Sequence, residues 1–207
     1  MPKYTIDNGE SIPSVAKDNG FFWETLWNHA ENSELKQKRK NPNILLAGDE
    51  VFVPELELKE ESKPTEQRHK FKRKGDPVKF KLQLLMMSEP RANEDYVLDI
   101  DGKLITGKTD GAGKLEQFVP GNAKGGRVLL GGGKESYPVR IGHLDPVEEI
   151  SGMQQRLNNL GFTCGPEDGE LNDATKAALA AFQARYKLNA TGEPDDPTKA
   201  KLKELHP

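Results

Sequence analysis

In the last third of the chain apolar side chains recur at helical spacing, and that recurrence confines this segment to a small helical bundle. Ile150, Met153, Leu157 and Leu160 form one stripe, and Thr175, Leu179, Phe182 and Tyr186 form a second at intervals of 4, 3 and 4 residues. Residues three and four apart share a helix face, so each stripe is stable only when buried against another. Leu202 and Leu205 complete a third. Helices are therefore predicted over about 147–160, 173–186 and 198–205. Asn172 or Asp173 fits the cap of the second, and Asp196 followed by Pro197 fits the cap and first turn of the third, where proline gives up no required amide. The glycine-rich GFTCGPEDGELN between the first two reads as a compact turn pinned by Phe162 and Leu171, with Cys164 as a local structural thiol.

At the other end, residues 3–54 carry two short extended runs, 4–6 and 50–53, around two segments of helical spacing, which gives a strand, helix, helix, strand order. Ser11 is placed to cap the first helix, whose apolar face is Ile12, Val15 and Ala16, and Asn19-Gly20 reads as its stop. Trp23, Leu26, Trp27 and Ala30 line one side of the second. Burial of the two indoles against the strands is the first reading and a sugar platform the competing one.

Residues 55–76 are dominated by charge and interrupted by Pro64, the composition of a linker. Its basic cluster, Arg68, Lys70, Lys72, Arg73 and Lys74, reads as a solvated face, with only Phe71 interleaved. From 77 to 145 the pattern changes to period two. Val78, Phe80, Leu82 and Leu84 alternate with Lys79, Lys81 and Gln83, and Tyr96, Leu98 and Ile100 alternate before Asp101-Gly102, a hairpin turn signal. Further extended runs at 103–106, 115–119, 127–130 and 137–141, with a turn at Asp110-Gly111, predict a small antiparallel sandwich. Gly131-Gly132-Gly133-Lys134 lacks the spacing of a phosphate loop and reads as an ordinary turn.

The expected architecture is multidomain α+β: a small βααβ module at 1–54, a charged linker at 55–76, a central antiparallel β-sandwich at 77–145 and a three-helix bundle at 146–207. Thirty basic against 33 acidic residues give a net charge of −3, which removes the global case for a nucleic-acid partner. A single cysteine excludes an internal disulfide and a cysteine-only zinc site. No run approaches the roughly 18 apolar residues a membrane span needs, and no conventional signal peptide is visible at the start. The expectation is a cytoplasmic protein, with export to the periplasm or extracellular space by a nonclassical or apparatus-mediated route as the way out.

Residues 4–54, with YTIDNGESIPSVAKDNG, FFWETLWNHAEN and NPNILLAGDEVFVP, resemble a LysM module. The resemblance implies a shallow groove for N-acetylglucosamine polymers, peptidoglycan or chitin, with Gly9, Glu10, Ser11 and Ile12 on one wall and Asn43, Ile44, Leu45 and Leu46 on the other. Glu10 stands where many relatives carry aspartate, and the charged interval 31–40 lengthens the path to the last strand. Residues 150–205 look like the peptidoglycan-binding type 1 fold, on Gln154, Leu157, Leu160, Gly161, Asp168, Gly169, Thr175, Phe182, Gln183, Leu188, Thr191, Gly192 and Thr198. Most of these residues explain folding. Gln154, Arg156, Asn159, Gln183 and Arg185 are taken as exposed groups able to bond sugar or peptide. The central block loosely resembles carboxypeptidase-regulatory or prealbumin-like sandwiches, and the three-part order is similar to accessory proteins of contractile injection or type VI secretion systems.

No constellation of nucleophile and base, opposed carboxylates or metal ligands is visible, so no enzyme activity, metal or cofactor is expected. His29, His69, His143 and His206 lack metal-ligand spacing, and Glu167, Asp168 and Glu170 crowd one turn as solubilising residues. The expected function is noncatalytic binding or targeting to peptidoglycan or a related glycan. The alternative is a structural adaptor or effector-associated protein of a contractile injection or type VI secretion apparatus, with a protein of that apparatus as partner.

Overall fold

A computed structural model describes residues 3–57, 62–70, 78–87 and 89–207. The basic residues Lys72, Arg73 and Lys74, with Phe71, lie outside them; Arg68 and Lys70 are exposed. The architecture is multidomain α+β.

In the N-terminal module β1 (Lys3–Thr5) pairs antiparallel with β2 (Glu50–Phe52), Tyr4 opposite Val51. α1 (Ile12–Asp18) starts in a capping box in which Ser11 Oγ accepts from Ser14 N and Ser14 Oγ accepts from Ser11 N. α2 (Trp23–Trp27) follows. Ile6, Ile12, Val15, Ala16, Leu26, Trp27 and Val51 form the core, with Trp23 packed at its edge, so core packing is the reading that holds for Trp27. The charged interval read as a lengthened connection contains a further helix, α3 (Ser33–Arg39), whose one buried apolar residue among the described residues is Leu35. Polar ties hold it instead. Buried Asn32 donates to the carbonyls of Leu26 and Phe52, both at 2.9 Å, and accepts from Phe52 N at 2.7 Å, extending the pairing of β2.

The central region holds β3 (Val78–Gln83), β4 (Leu85–Met86), β5 (Glu89–Pro90), β6 (Asp95–Ile100), β7 (Lys103–Lys108), β8 (Lys114–Val119), β9 (Gly125–Leu130) and β10 (Glu135–Arg140). A four-stranded antiparallel sheet in the order β10-β9-β6-β7 faces the β3-β8 ribbon. Tyr96, Leu98, Ile100, Val128 and Leu130 on the sheet pack against Leu115 and Val119 on the ribbon, and Gln117 Nε2 donates to Tyr96 Oη at 2.8 Å. Asp101 and Gly102 both take positive φ, as a tight hairpin turn between β6 and β7 requires. β4 and β5 add a small hairpin that alternation had not indicated.

The C-terminal bundle comprises α4 (Ile150–Asn159), α5 (Asp173–Arg185) and α6 (Asp196–Leu205) around Met153, Leu157, Leu179, Phe182 and Leu202. Asn172 caps α5, accepting from Thr175 N at 2.9 Å. The cap of α6 is Asp195, one residue earlier than expected: its Oδ1 accepts from Thr198 N at 2.9 Å and from the Thr198 hydroxyl, and Asp196 is the first helical residue. Cys164 is buried among these helices, donating to Gln154 O and Asn158 Oδ1, and burial pushes its thiol up, as befits a structural cysteine.

Candidate functional site

Three polar residues expected on the bundle surface lie inside it. Gln154 and Gln183 are 0% exposed and Arg156 is 1%. They occupy the inner faces of α4 and α5, where turn backbone takes up their hydrogen-bonding groups. Gln154 Nε2 donates to Asp168, the Glu170 carbonyl and Thr175, and Gln183 Nε2 donates to the Glu193 carbonyl and Thr198. Arg156 donates to the carbonyls of Asp145, Gly152 and His206 at 2.7, 2.8 and 3.0 Å. Burial among carbonyls, with no carboxylate in ion-pair contact among the described residues, pushes this guanidinium down to about 10. Arg185 and Asn159 are exposed, on α5 and α4.

Ile12 and Leu45, expected on opposite walls of the N-terminal groove, share one apolar cluster, and Ile12 N donates to Pro42 O, just before the second segment, at 3.0 Å. Ser11, Ile12 and Leu45 are buried, Gly9, Glu10, Ile44 and Leu46 half-buried, and Asn43 exposed. The amides of Glu10, Ser11, Asn43, Ile44 and Leu46 all donate within the module, so this surface presents mainly side chains and carbonyl oxygens. Glu10 accepts from Tyr4 Oη at 2.6 Å and from Asp7 N at 2.9 Å, and the carboxylate holds the Tyr4 phenol up at about 12.

Gly9 backs onto His143 of the central region. Its φ is +85°, and a Cβ there would overlap the His143 imidazole; a Cβ at Gly142 would lie 2.5 Å from the Gly9 carbonyl. Asn122 Nδ2 also donates to Asp18 Oδ1 at 2.8 Å, so the central region contacts the N-terminal module here as well. On its other side, Arg140 at the end of β10 pairs with Glu167 of the bundle turn at 2.8 Å. A polar cleft of about 460 Å³ opens where the three units meet, lined by Asn8, Arg140, His143, Asp145, Gln155 and the 165–167 turn.

The cleft residues come from distant parts of the chain, and no spacing rule links Asn8 to Arg140 or Glu167. The buried glutamines had a legible signal: the turns they hold, DGELNDAT and TGEPDDPT, repeat glycine, glutamate, aspartate and threonine at matching positions. The Gly131–Gly133 segment is an exposed turn between β9 and β10. Among the described residues no group of three or more His, Cys, Asp or Glu side chains could hold a metal ion, and no helix is long and apolar enough to cross a membrane. No curated protein and no solved structure matches the chain. One family model does: residues 147–202, the span that folds as the three-helix bundle, match the putative peptidoglycan binding domain.

Proposed function

We propose that this chain is a noncatalytic peptidoglycan-binding protein whose C-terminal bundle supplies the principal wall contact. The supporting observation is the coincidence of the matched span, 147–202, with a bundle whose core residues Leu157, Leu179, Phe182 and Leu202 are all 0% exposed. Because Gln154, Arg156 and Gln183 are committed to the interior, the ligand-facing groups are the exposed ones, Asn159 and Arg185, and the loops between helices.

The N-terminal βααβ module offers a second contact for an N-acetylglucosamine polymer along Glu10, Asn43, Ile44 and Leu46, the members of the LysM-like groove with exposed or half-exposed surface. Two weak sites on one chain raise each other's effective concentration at a repeating polymer, so avidity replaces tight single-site binding. Sedimentation of the 207-residue chain with insoluble peptidoglycan, and separately with chitin, tests this function. Retention by peptidoglycan without release of soluble fragments is expected. Protein left wholly in the supernatant would refute it.

A further inference from the structure

We propose that the cleft where the three units meet is a subsite for the peptide branches of peptidoglycan. This subsite presupposes the wall-binding function above and adds to it a place and a ligand chemistry. Its volume of about 460 Å³ falls within the usual range for ligand pockets. Sugar rings are commonly held by packing their faces on aromatic side chains, and among the described residues no Trp, Tyr or Phe lines the cleft. It offers both charge signs and amides instead, the complement of a short peptide with backbone N–H and C=O groups and a terminal carboxylate.

Arg140 is the anchor for that carboxylate. It spends one nitrogen on Glu167 Oε2, and its side chain is 65% exposed, which leaves further guanidinium donors facing the cleft. Asp145, also in the lining, is held by three hydrogen bonds: its amide donates to Gln155 Oε1 at 2.6 Å, and its Oδ2 accepts from Ser151 Oγ at 2.7 Å and from Gln155 Nε2 at 3.3 Å. A carboxylate fixed in this way accepts peptide N–H groups without first having to be ordered. Arg140 lies outside the span that matches the family and Glu167 lies inside it, so the subsite is composite and an isolated bundle would present half of it.

The test is calorimetric titration of the full chain with a soluble disaccharide-peptide fragment of peptidoglycan and with the same disaccharide stripped of its peptide. Affinity for the peptide-bearing fragment is expected to exceed that for the stripped one, and Arg140→Ala to lower it by about tenfold or more. Thermal unfolding should be unchanged, because the side chain is exposed. Glu167→Gln removes the ion pair and leaves the guanidinium in place; it is expected to keep the affinity, and a loss equal to that of Arg140→Ala would reduce Arg140 to a structural brace and overturn the subsite. Equal binding of both fragments, or an unaffected Arg140→Ala, would also overturn it while leaving retention on intact polymer standing. Loss of that retention in the unmodified chain would overturn the wall-binding function itself, and the subsite with it.

Discussion

Gln154 and Gln183 hold two turns of the bundle through the same set of hydrogen bonds. Oε1 of Gln154 accepts from Gly169 N at 2.9 Å and Oε1 of Gln183 from Gly192 N at 2.8 Å. Each Nε2 then donates to the carbonyl of the following glutamate, Glu170 at 3.1 Å or Glu193 at 2.9 Å, and to a helix threonine, Thr175 at 3.0 Å or Thr198 at 2.9 Å. Each turn leads into a helix capped by a side-chain oxygen, Asn172 or Asp195. One device therefore sets the start of α5 relative to α4 and the start of α6 relative to α5.

Replacing Gln183 by leucine keeps the side-chain volume and removes every one of these bonds. The Gly192 amide is then left buried without a partner, at about 1–3 kcal/mol, and the Thr198 hydroxyl, which still donates to Asp195, loses the bond it accepts. Gln183→Leu is expected to lower the unfolding free energy by roughly 2–4 kcal/mol in urea denaturation, and Gln154→Leu by a similar amount. A loss under about 0.5 kcal/mol for both would show that the turns hold without the clamp.

Local periodicity made most of the architecture legible. Tyr96, Leu98 and Ile100 alternate because one face of β6 is buried, and the stripe through Leu179 and Phe182 marks the inner face of α5. Where polar contacts replaced apolar ones, hydrophobic periodicity was silent, and only the repeat of the two bundle turns pointed inward. α3 has no apolar stripe and depends on Asn32 and Asp49, while Arg156 and the two glutamines carry residue types that are mostly exposed. The junction cleft was invisible because Asn8, Arg140 and Glu167 share no segment and meet only once the units pack.

The pairing of Arg39 with Asp49 is almost dry. Their side chains are 7% and 4% exposed, and the bonds are 2.6 Å from Nε and 2.9 Å from Nη2. Burial pushes the Asp49 carboxyl up, but Arg39, the Leu46 amide and Lys38 outweigh it and hold the group below its ordinary 3.8. The unfolded chain therefore takes up this proton at higher pH than the native one. The stabilisation is fully present above about pH 4 and is lost as pH falls through the native value. Asp49→Asn strands the Arg39 charge and is expected to cost about 3 kcal/mol near neutrality, while flattening the acid limb of stability against pH. An unchanged acid limb would contradict this assignment.

His206 supplies a second and higher pH window. Burial, and then the Arg156 charge, push its imidazole below the usual 6.5; Nδ1 is a buried atom with no hydrogen-bond partner, and Nε2 lies 3.1 Å from Asn159 Nδ2. Here too the unfolded chain protonates first, so stability is expected to fall as pH drops below 6.5. Urea midpoints for the native chain and His206→Gln, measured at about pH 7.5 and about pH 5.5, check this: the substitution should shrink the difference between the two conditions. An equal difference in both proteins would remove His206 as its source.

The contact between Gly9 and His143 is one of the contacts that set the N-terminal module against the central region. At a φ of +85° alanine is strained even in open space, and here its methyl would also overlap the imidazole. Gly9→Ala is expected to cost roughly 2 kcal/mol in the native background and about 1 kcal/mol less when His143 is already alanine, since only the backbone strain then remains. A double-mutant cycle on urea unfolding of the full chain isolates that difference. Strict additivity would mean that ring and loop do not meet in solution; Asn8 would then be carried away from Arg140 and Glu167, and the junction cleft would lose its third wall.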